Sequence, residues 1–263
     1  MSGNQPATVT ILGSGTSTGV PVIGCSCVVC RSPDSRLKRT RAALMLTLAS
    51  GERLVIDTGP DFRQQMLRES VAQLEHVLYT HVHADHCHGF DDLRAFYFHQ
   101  RRPVTCYVGR PHLEDFRTRF AYAFQETGYS GTKPQVVLQE FGEAPFTVLG
   151  LTVEPIFLEH GHTQTAAFRI GRFVYATDFK RIPSEVVERW RGQVDTMVAS
   201  GIHFGAHPTH SNIPETLALF KKIQVNRGII THLTHEVDPA RDTARLPDGV
   251  VFAHDGMQVD VLL

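Results

Sequence analysis

The chain has 263 residues, and its 26 Lys and Arg residues balance 27 Asp and Glu residues, so the formal net charge is −1 with histidine neutral. A surface that neutralises many nucleic-acid phosphates, or a polybasic membrane patch, needs an excess of positive charge that is missing here. Both partner classes are therefore disfavoured. The unusual residues are 15 His and 5 Cys, and an odd number of cysteines argues against a fully paired disulfide framework. We expect a soluble cytoplasmic protein without a signal peptide.

The first half of the chain alternates short apolar runs with polar turns. A loop without helical or strand periodicity runs from Gly13 to Cys25. Asp61 is expected to cap a short helix that runs through Leu67, and the amphipathic stretch 113–124 predicts a longer helix. Apolar runs bounded by turn residues predict strands at 8–12, 42–48, 53–56, 76–79 and 104–108.

The second half continues the same mixture of strands and helices. Helical patterns occupy 184–190 and 214–223. Strands are predicted near 136–138, 146–158, 167–170, 173–175 and 194–199. Because no linker or change of composition interrupts the chain, we predict one α/β domain over residues 1–263 with two packed sheets.

A cluster of metal-binding residue types follows the apolar run 76–79. The segment His81-Val-His83-Ala-Asp85-His86 gathers three imidazoles and one carboxylate within six residues. Imidazole nitrogen and carboxylate oxygen suit zinc, manganese and iron. His81 and His83 could share one ion, which would leave Asp85 and His86 for a neighbouring ion. The alternative is a solvated polar turn.

This segment resembles the signature of the metallo-β-lactamase-fold hydrolases, whose four-layer αββα sandwich holds one or two metals at the sheet edges. The resemblance implies further ligands at His160, which ends a predicted strand, at Asp178, and at His232 near the C-terminus. The implied sets are His81, His83 and His160 for one metal, and Asp85, His86 and His232 for the other, with Asp178 between the two metals.

Two positions near these ligands keep alternatives open. His162 is the rival of His160, although the family places its histidine directly before a glycine, as in His160-Gly161. Asp57, in Asp57-Thr-Gly-Pro, resembles an early acidic motif of the family that orients ligands without binding metal. The alternative for Asp57 is a turn residue with a local hydrogen bond.

A second cluster, Cys25-Ser-Cys27-Val-Val-Cys30, places three thiols in the loop after the first strand. Three soft ligands suit a structural zinc, which takes four tetrahedral ligands. His235, three residues after His232, can supply the fourth. Unrelated buried thiols or a redox cluster are the alternatives. Cys87 and Cys106 are better interpreted as small buried hydrophobic residues.

The cysteine cluster, the Gly-rich loop before it and Ala253-His-Asp255-Gly256 together resemble the phosphoribosyl 1,2-cyclic phosphate phosphodiesterases that are associated with carbon-phosphorus lyase pathways of phosphonate metabolism. This resemblance implies that His210 is the general acid or a donor to a phosphate oxygen, and Asp85 is counted with it as catalytic. His207 is a weaker candidate on the same loop. The resemblance also assigns a structural zinc to Cys25, Cys27, Cys30 and His235.

The expected function is that of a metal-dependent phosphodiesterase. Two divalent ions, manganese, zinc or iron, would activate a bridging hydroxide for attack on a small cyclic phosphodiester. The expected partner is a small phosphorylated substrate, and a homodimer is the oligomeric state to test; no membrane and no nucleic acid are expected. Alternatives are a tRNA 3′-end endonuclease, a thiolester or β-lactam hydrolase, and a non-catalytic zinc-binding module.

Overall fold

Two seven-stranded sheets form the centre of the protein in the computed structural model, which describes residues 5–125 and 132–263. The strands are β1 (Pro6–Gly13), β2 (Ala43–Leu48), β3 (Arg53–Ile56), β4 (His76–Tyr79), β5 (Val104–Gly109), β6 (Val136–Phe141), β7 (Phe146–Val148), β8 (Leu151–His160), β9 (Thr163–Ile170), β10 (Phe173–Ala176), β11 (Thr196–Ser200), β12 (Arg227–Thr231), β13 (Val250–Phe252) and β14 (Gln258–Leu262). The helices are α1 (Val28–Arg31), α2 (Phe62–Arg68), α3 (Ala84–Cys87), α4 (Arg94–Gln100), α5 (Leu113–Arg119), α6 (Ala121–Phe124), α7 (Ser184–Trp190), α8 (Ile213–Ile223) and α9 (Pro239–Asp242).

Each sheet combines a parallel and an antiparallel part. The first sheet has the order β14-β1-β2-β3-β4-β5-β6 and is parallel from β3 to β6. The second has the order β13-β12-β11-β10-β9-β8-β7 and is parallel from β10 to β13. Within each parallel part the carboxyl ends of neighbouring strands lie along one edge, where loops can bring side chains together.

Apolar side chains fill three spaces between four layers. The inner faces of the two sheets meet around residues such as Leu46 and Phe168, which are fully buried. Helices on the outer face of the first sheet bury Phe62 and Phe116, and helices on the second sheet bury Trp190. Burying each large apolar side chain contributes roughly 1.5–3 kcal/mol. The layer order helix, sheet, sheet, helix confirms the predicted αββα sandwich.

Three local predictions were wrong. The stretch 146–158 is not one strand, because Leu149 and Gly150 adopt positive φ angles of 53° and 74° and turn β7 back into β8. The helix predicted over 113–124 is interrupted at Phe120, which separates α5 from α6. Asp61 precedes α2, but its carboxylate makes no capping bond and instead accepts from the backbone and guanidinium of Arg41.

The described parts of the chain contain no helix that is both long and apolar enough to cross a membrane. The single domain over 1–263 stays a prediction, and residues 1–4 and 126–131 of it lie outside the described residues.

Candidate metal centre

The His and Asp residues that the sequence predicts as ligands of the two catalytic metals lie at, or just after, the carboxyl ends of strands. The segment from His81 to His86 follows β4, and His160 is the last residue of β8. Asp178 follows β10 and His232 follows β12. Because β10 and β12 are parallel and β8 runs in the same direction, these ends lie at one edge of the second sheet, facing the loop after β4. A hydrogen bond from the backbone N–H of Ala166 to the carbonyl of Thr80 joins the two sheets there.

Three imidazoles form the first donor group. His83 Nδ1 lies 2.9 Å from His81 Nε2 and 3.3 Å from His160 Nε2. All three donor atoms lie within 4.8 Å of one another, a spacing suited to one shared cation. His162, two residues after His160, is exposed. The structure therefore brings His160 into the cluster and leaves the rival His162 outside it.

Asp178 connects this group to a second one. Its Oδ2 lies 2.9 Å from His86 Nε2, and its Oδ1 lies 3.1 Å from His232 Nε2. Asp85 completes the second group, with Oδ2 at 3.3 Å from His86 Nε2. Asp178 also has a carboxylate oxygen within 4.8 Å of a ring nitrogen of His81 and of a ring nitrogen of His160. Its carboxylate therefore lies between the two groups, where it could contact two cations.

The buried polar atoms of the cluster fit bound cations. Nε2 of His86 and Nε2 of His232 are buried and have no hydrogen-bond partner within the described residues, a situation that costs roughly 1–3 kcal/mol for each atom unless another group takes its lone pair. Burial raises the pKa of Asp178, but His232 and His86 outweigh burial and hold that pKa well below its usual value. Ionised carboxylate oxygens beside unpaired imidazole nitrogens are ligands for zinc, manganese or iron.

Asp57 orients His86 by contacting Nδ1, the ring nitrogen that does not face Asp85 and Asp178. Its fully buried carboxylate accepts hydrogen bonds from the backbone N–H of Thr80 at 2.8 Å and from its hydroxyl at 2.8 Å, and it lies 2.7 Å from His86 Nδ1. A proton on Nδ1 leaves the lone pair of His86 Nε2 free to face Asp85 and Asp178. The sequence had left Asp57 between an orienting residue and a turn residue, and the structure shows the orienting contact.

His210 lies over the centre of this cluster. Its Nδ1 is 3.3 Å from Asp178 Oδ1, and its ring stacks on His232 with centroids 5.2 Å apart. Burial lowers the pKa of His210 to about 3, although Asp178 opposes this shift. The imidazole is therefore neutral at physiological pH and can either donate or accept a proton at the cluster.

Helix α8 fixes the loop that carries His210. Asn212 and Glu215 form a reciprocal capping box at the start of the helix, so the chain enters α8 at a defined angle. Lys180 Nζ lies 2.9 Å from Glu215 and donates to the carbonyl of His210 at 3.3 Å. This positioning role of Lys180 had no sequence signal, because it depends on a contact across 30 residues.

The cysteine cluster forms a separate donor group. Nδ1 of His235 lies 3.2 Å from Cys25 Sγ, 3.5 Å from Cys27 Sγ and 3.6 Å from Cys30 Sγ. The four donor atoms lie within 4.8 Å of one another. The backbone N–H of Cys30 lowers the pKa of Cys27 to about 6, and His235 adds to this effect. Three sulfurs, one of them readily ionised, and one imidazole nitrogen fit a structural zinc.

Arg39 supports this group and was missed by sequence reasoning. Its buried guanidinium donates to the carbonyl of Thr234 at 2.7 Å and to that of Val237 at 2.9 Å. These carbonyls flank His235. No carboxylate of the described residues forms an ion pair with Arg39, and burial lowers its pKa to about 10. Nothing in the sequence around Arg39 distinguishes it from a surface arginine.

Asp255 ties the Gly-rich loop to the same region. Its Oδ1 accepts from the backbone N–H and hydroxyl of Ser14, and its Oδ2 accepts from the backbone N–H and hydroxyl of Thr40. Ser14 in turn accepts from the backbone N–H of Leu233, next to His232. The loop therefore supports the position of His232.

The αββα fold and the His/Asp cluster at its strand ends define a metallo-β-lactamase-fold hydrolase. The family model described as "Beta-lactamase superfamily domain" matches residues 52–233, and membership of this superfamily implies divalent metals. A crystal structure of a diphosphatase from the PhnP family is 35% identical, covers 98% of both chains and superposes with a TM-score of 0.89. The chain belongs to the PhnP family.

Two further relatives extend the comparison. An octanoyltransferase of Porphyromonas gingivalis is 36% identical over 250 residues, which cover 94% of this chain and 50% of that protein. The chain therefore spans about half the length of this relative. Zn²⁺-bound PqqB from Methylobacterium extorquens is 20% identical with a TM-score of 0.78, over 97% of this chain and 100% of PqqB, and this likeness shows the fold alone.

Proposed function

We propose that the protein is a metal-dependent phosphodiesterase that hydrolyses a small cyclic phosphodiester of the phosphoribosyl 1,2-cyclic phosphate type. The observation that carries this proposal is the placement of Asp178 between two donor groups, with the neutral ring of His210 at 3.3 Å from its Oδ1. The PhnP-family diphosphatase, at 35% identity over nearly the whole chain, supports a phosphoryl substrate.

The ligand assignment follows the two donor groups. Cations held there would lower the pKa of bound water and neutralise phosphoryl oxygens. The proposed set for one ion is His81, His83 and His160, and for the other Asp85, His86 and His232, with Asp178 shared between them. Manganese, zinc and iron all suit this set.

His210 and Asp85 have different roles in the proposed reaction: His210 donates, and Asp85 orients the attacking water. The neutral ring of His210 can donate a hydrogen bond to a phosphoryl oxygen. To protonate the leaving alkoxide it must first become imidazolium, which it would do by taking the proton that the attacking water releases. Burial raises the pKa of Asp85, but His86 and His232 hold it well below its usual value, so that this carboxylate stays ionised. An ionised Asp85 accepts a hydrogen bond from the attacking water and orients it.

The remaining parts of the proposal concern metals, assembly and location. Cys25, Cys27, Cys30 and His235 hold a structural zinc. A small phosphorylated substrate, a homodimer, a cytoplasmic location and a role in phosphonate metabolism stay predictions, as does the absence of membrane and nucleic-acid partners.

Diphosphate hydrolysis is the second candidate, because the PhnP-family relative is a diphosphatase. The same donors would serve it, since the scissile phosphoryl group again needs its oxygens neutralised. We do not assign octanoyl transfer, because the chain spans only about half of the octanoyltransferase.

A substrate panel tests these alternatives. The protein, loaded separately with Mn²⁺, Zn²⁺ or Fe²⁺, is assayed on ribose cyclic phosphates, nucleoside 2′,3′-cyclic phosphates, a nucleoside diphosphate, pre-tRNA and an octanoyl thiolester. Turnover of ribose cyclic phosphates supports the proposal, turnover of the diphosphate alone supports the second candidate, and activity confined to pre-tRNA or the thiolester refutes both. His83→Asn should abolish the activity, whereas His99→Asn, at an exposed position on α4, should retain it.

A further inference from the structure

The loop between β11 and α8 carries three imidazoles in a row that leads outward from the metal centre. His210 lies next to Asp178, His207 follows with its ring centroid 4.9 Å from that of His210, and His203 lies 6.0 Å beyond His207. Both outer histidines are half-buried. The row therefore connects the proposed site of phosphoryl chemistry with the open surface beside it.

Backbone hydrogen bonds fix the proton of each outer ring. His207 Nδ1 accepts from the backbone N–H of Thr209 at 3.3 Å and of His210 at 3.2 Å. His203 Nδ1 accepts from the backbone N–H of Gly205 at 3.0 Å. A ring nitrogen that accepts an N–H carries no proton, so the proton of each neutral ring is on Nε2.

The two Nε2–H groups are available to a ligand. Within residues 5–125 and 132–263, neither Nε2 atom has a hydrogen-bond partner, and neither belongs to the buried unpaired atoms. Burial lowers the pKa of His207, and His203 and Lys180 lower it further, which favours the neutral ring. The two rings thus present their Nε2–H groups as donors, while their Nδ1 atoms already accept from the backbone. This arrangement suits a ligand with acceptor oxygens.

We propose that His203 and His207 form a subsite for a second phosphoryl group of the substrate, while the scissile phosphoryl group lies at the metal centre. This inference rests on the proposed function, because it places a phosphoryl substrate at Asp178. The ionised oxygens of a phosphoryl group accept hydrogen bonds, so they match the two Nε2–H groups. A substrate with a single phosphoryl group leaves the subsite unfilled.

Two substitutions at His207 separate binding from loop folding. His207→Asn keeps an acceptor oxygen where Nδ1 stood, so the loop bonds from Thr209 and His210 are retained, but it has no donor at the position of Nε2. His207→Gln places an amide N–H near the position of Nε2 and loses the acceptor near the backbone. His99→Asn is the matched control, since it makes the same change at an exposed position outside the loop.

The experiment compares binding of ribose 1,5-bisphosphate and ribose 1-phosphate to the metal-loaded protein by calorimetry. We expect the native protein to bind the bisphosphate more tightly, and His207→Asn to reduce that preference by about ten- to a hundredfold, the usual effect of losing a hydrogen bond to a charged group. His207→Gln should retain part of the preference, and His99→Asn all of it.

Turnover is measured in parallel on ribose 1,2-cyclic phosphate with and without a 5-phosphate. Equal binding of the two sugars by the native protein, or an unaltered preference in His207→Asn, overturns the subsite. A preference that depends on His207 in a protein that cleaves neither cyclic phosphate supports the subsite and refutes the proposed phosphodiesterase. The two proposals can therefore fail separately.

Discussion

Replacing Asp57 with Asn should weaken metal binding by His86, although Asp57 is not itself one of the proposed metal ligands. The carboxylate receives three contacts from donors, with Oδ1 facing the backbone N–H of Thr80 and Oδ2 facing both the hydroxyl of Thr80 and Nδ1 of His86. An asparagine keeps one oxygen and turns the other into an NH2 donor. At least one of these contacts then places two hydrogen-bond donors against each other at a fully buried position.

The two orientations of the amide have different consequences. If the NH2 group faces the backbone N–H of Thr80, 2.8 Å away, the clash cannot be relieved, because that proton is fixed. If it faces Nδ1 of His86, the imidazole can move its proton to Nε2 and accept the new bond at Nδ1. Nε2 of His86 then carries a proton toward Asp178, 2.9 Å away, and no longer offers a lone pair to a metal.

The expected size of the effect follows from the contacts that are lost. Changes to a group that orients a metal-binding histidine weaken metal affinity by about 10- to 100-fold, or roughly 1.4–2.7 kcal/mol. We expect this loss at the donor group of Asp85, His86 and His232 and a smaller effect at the group of His81, His83 and His160. One unsatisfied buried contact should also lower the free energy of unfolding by about 1–3 kcal/mol.

Competition with a chromophoric chelator measures metal affinity, and denaturant unfolding measures stability. Asp61→Asn is the matched control, because it makes the same change four residues later at a carboxylate that contacts Arg41 and no histidine. Its metal affinities should match those of the native protein. A folded Asp57→Asn protein that binds every metal equivalent with native affinity would refute the orienting role of Asp57.

Three further outcomes are expected. Cys27→Ser should lose tightly held zinc and retain part of the metal at the His/Asp cluster in elemental analysis; unchanged zinc content contradicts the assignment of the cysteine group. His210→Ala, folded and metal-replete, should turn over cyclic phosphodiesters about 10²- to 10⁴-fold more slowly in a kcat assay, and full turnover removes His210 from the mechanism. Arg39→Met should accelerate zinc release to a chelator, because it frees the carbonyls on both sides of His235; an unchanged release rate shows that Arg39 does not position this ligand.

The sequence was sufficient for features that depend on neighbours along the chain. His81, Asp178 and His232 each follow a short apolar run. An apolar run of that length predicts a strand, so these residues are expected where strands end. The order of the ligands along the chain then resembles a known family. Residue type, local pattern and family resemblance together predicted which side chains the fold gathers.

Contacts across the fold were out of reach of the same reasoning. Asp57 meets His86 because β3 and β4 are parallel neighbours, with Ile56 opposite Leu78, and no local pattern gives that register. Arg39 faces carbonyls almost 200 residues away. The break between β7 and β8 is a different case: Leu149 gives no turn signal, because a left-handed conformation is uncommon for leucine, but Gly150 beside it is a turn residue inside the predicted strand, and the strand prediction overlooked it.

Backbone conformation supports the proposal that the His/Asp cluster is functional. Asp57, Asp178 and His232 have positive φ angles of 68°, 54° and 59°, in the left-handed region where glycine is comfortable and other residues are not. Each such residue costs roughly 1–2 kcal/mol. A glycine at each position would relieve the strain, but it would remove the carboxylate that contacts His86 and two side chains that are proposed as metal ligands. Three of the seven non-glycine residues with positive φ angles in residues 5–125 and 132–263 thus lie in this cluster, where the side chain can offset the cost. This supports the proposal that the edge where the strands end carries the functional site.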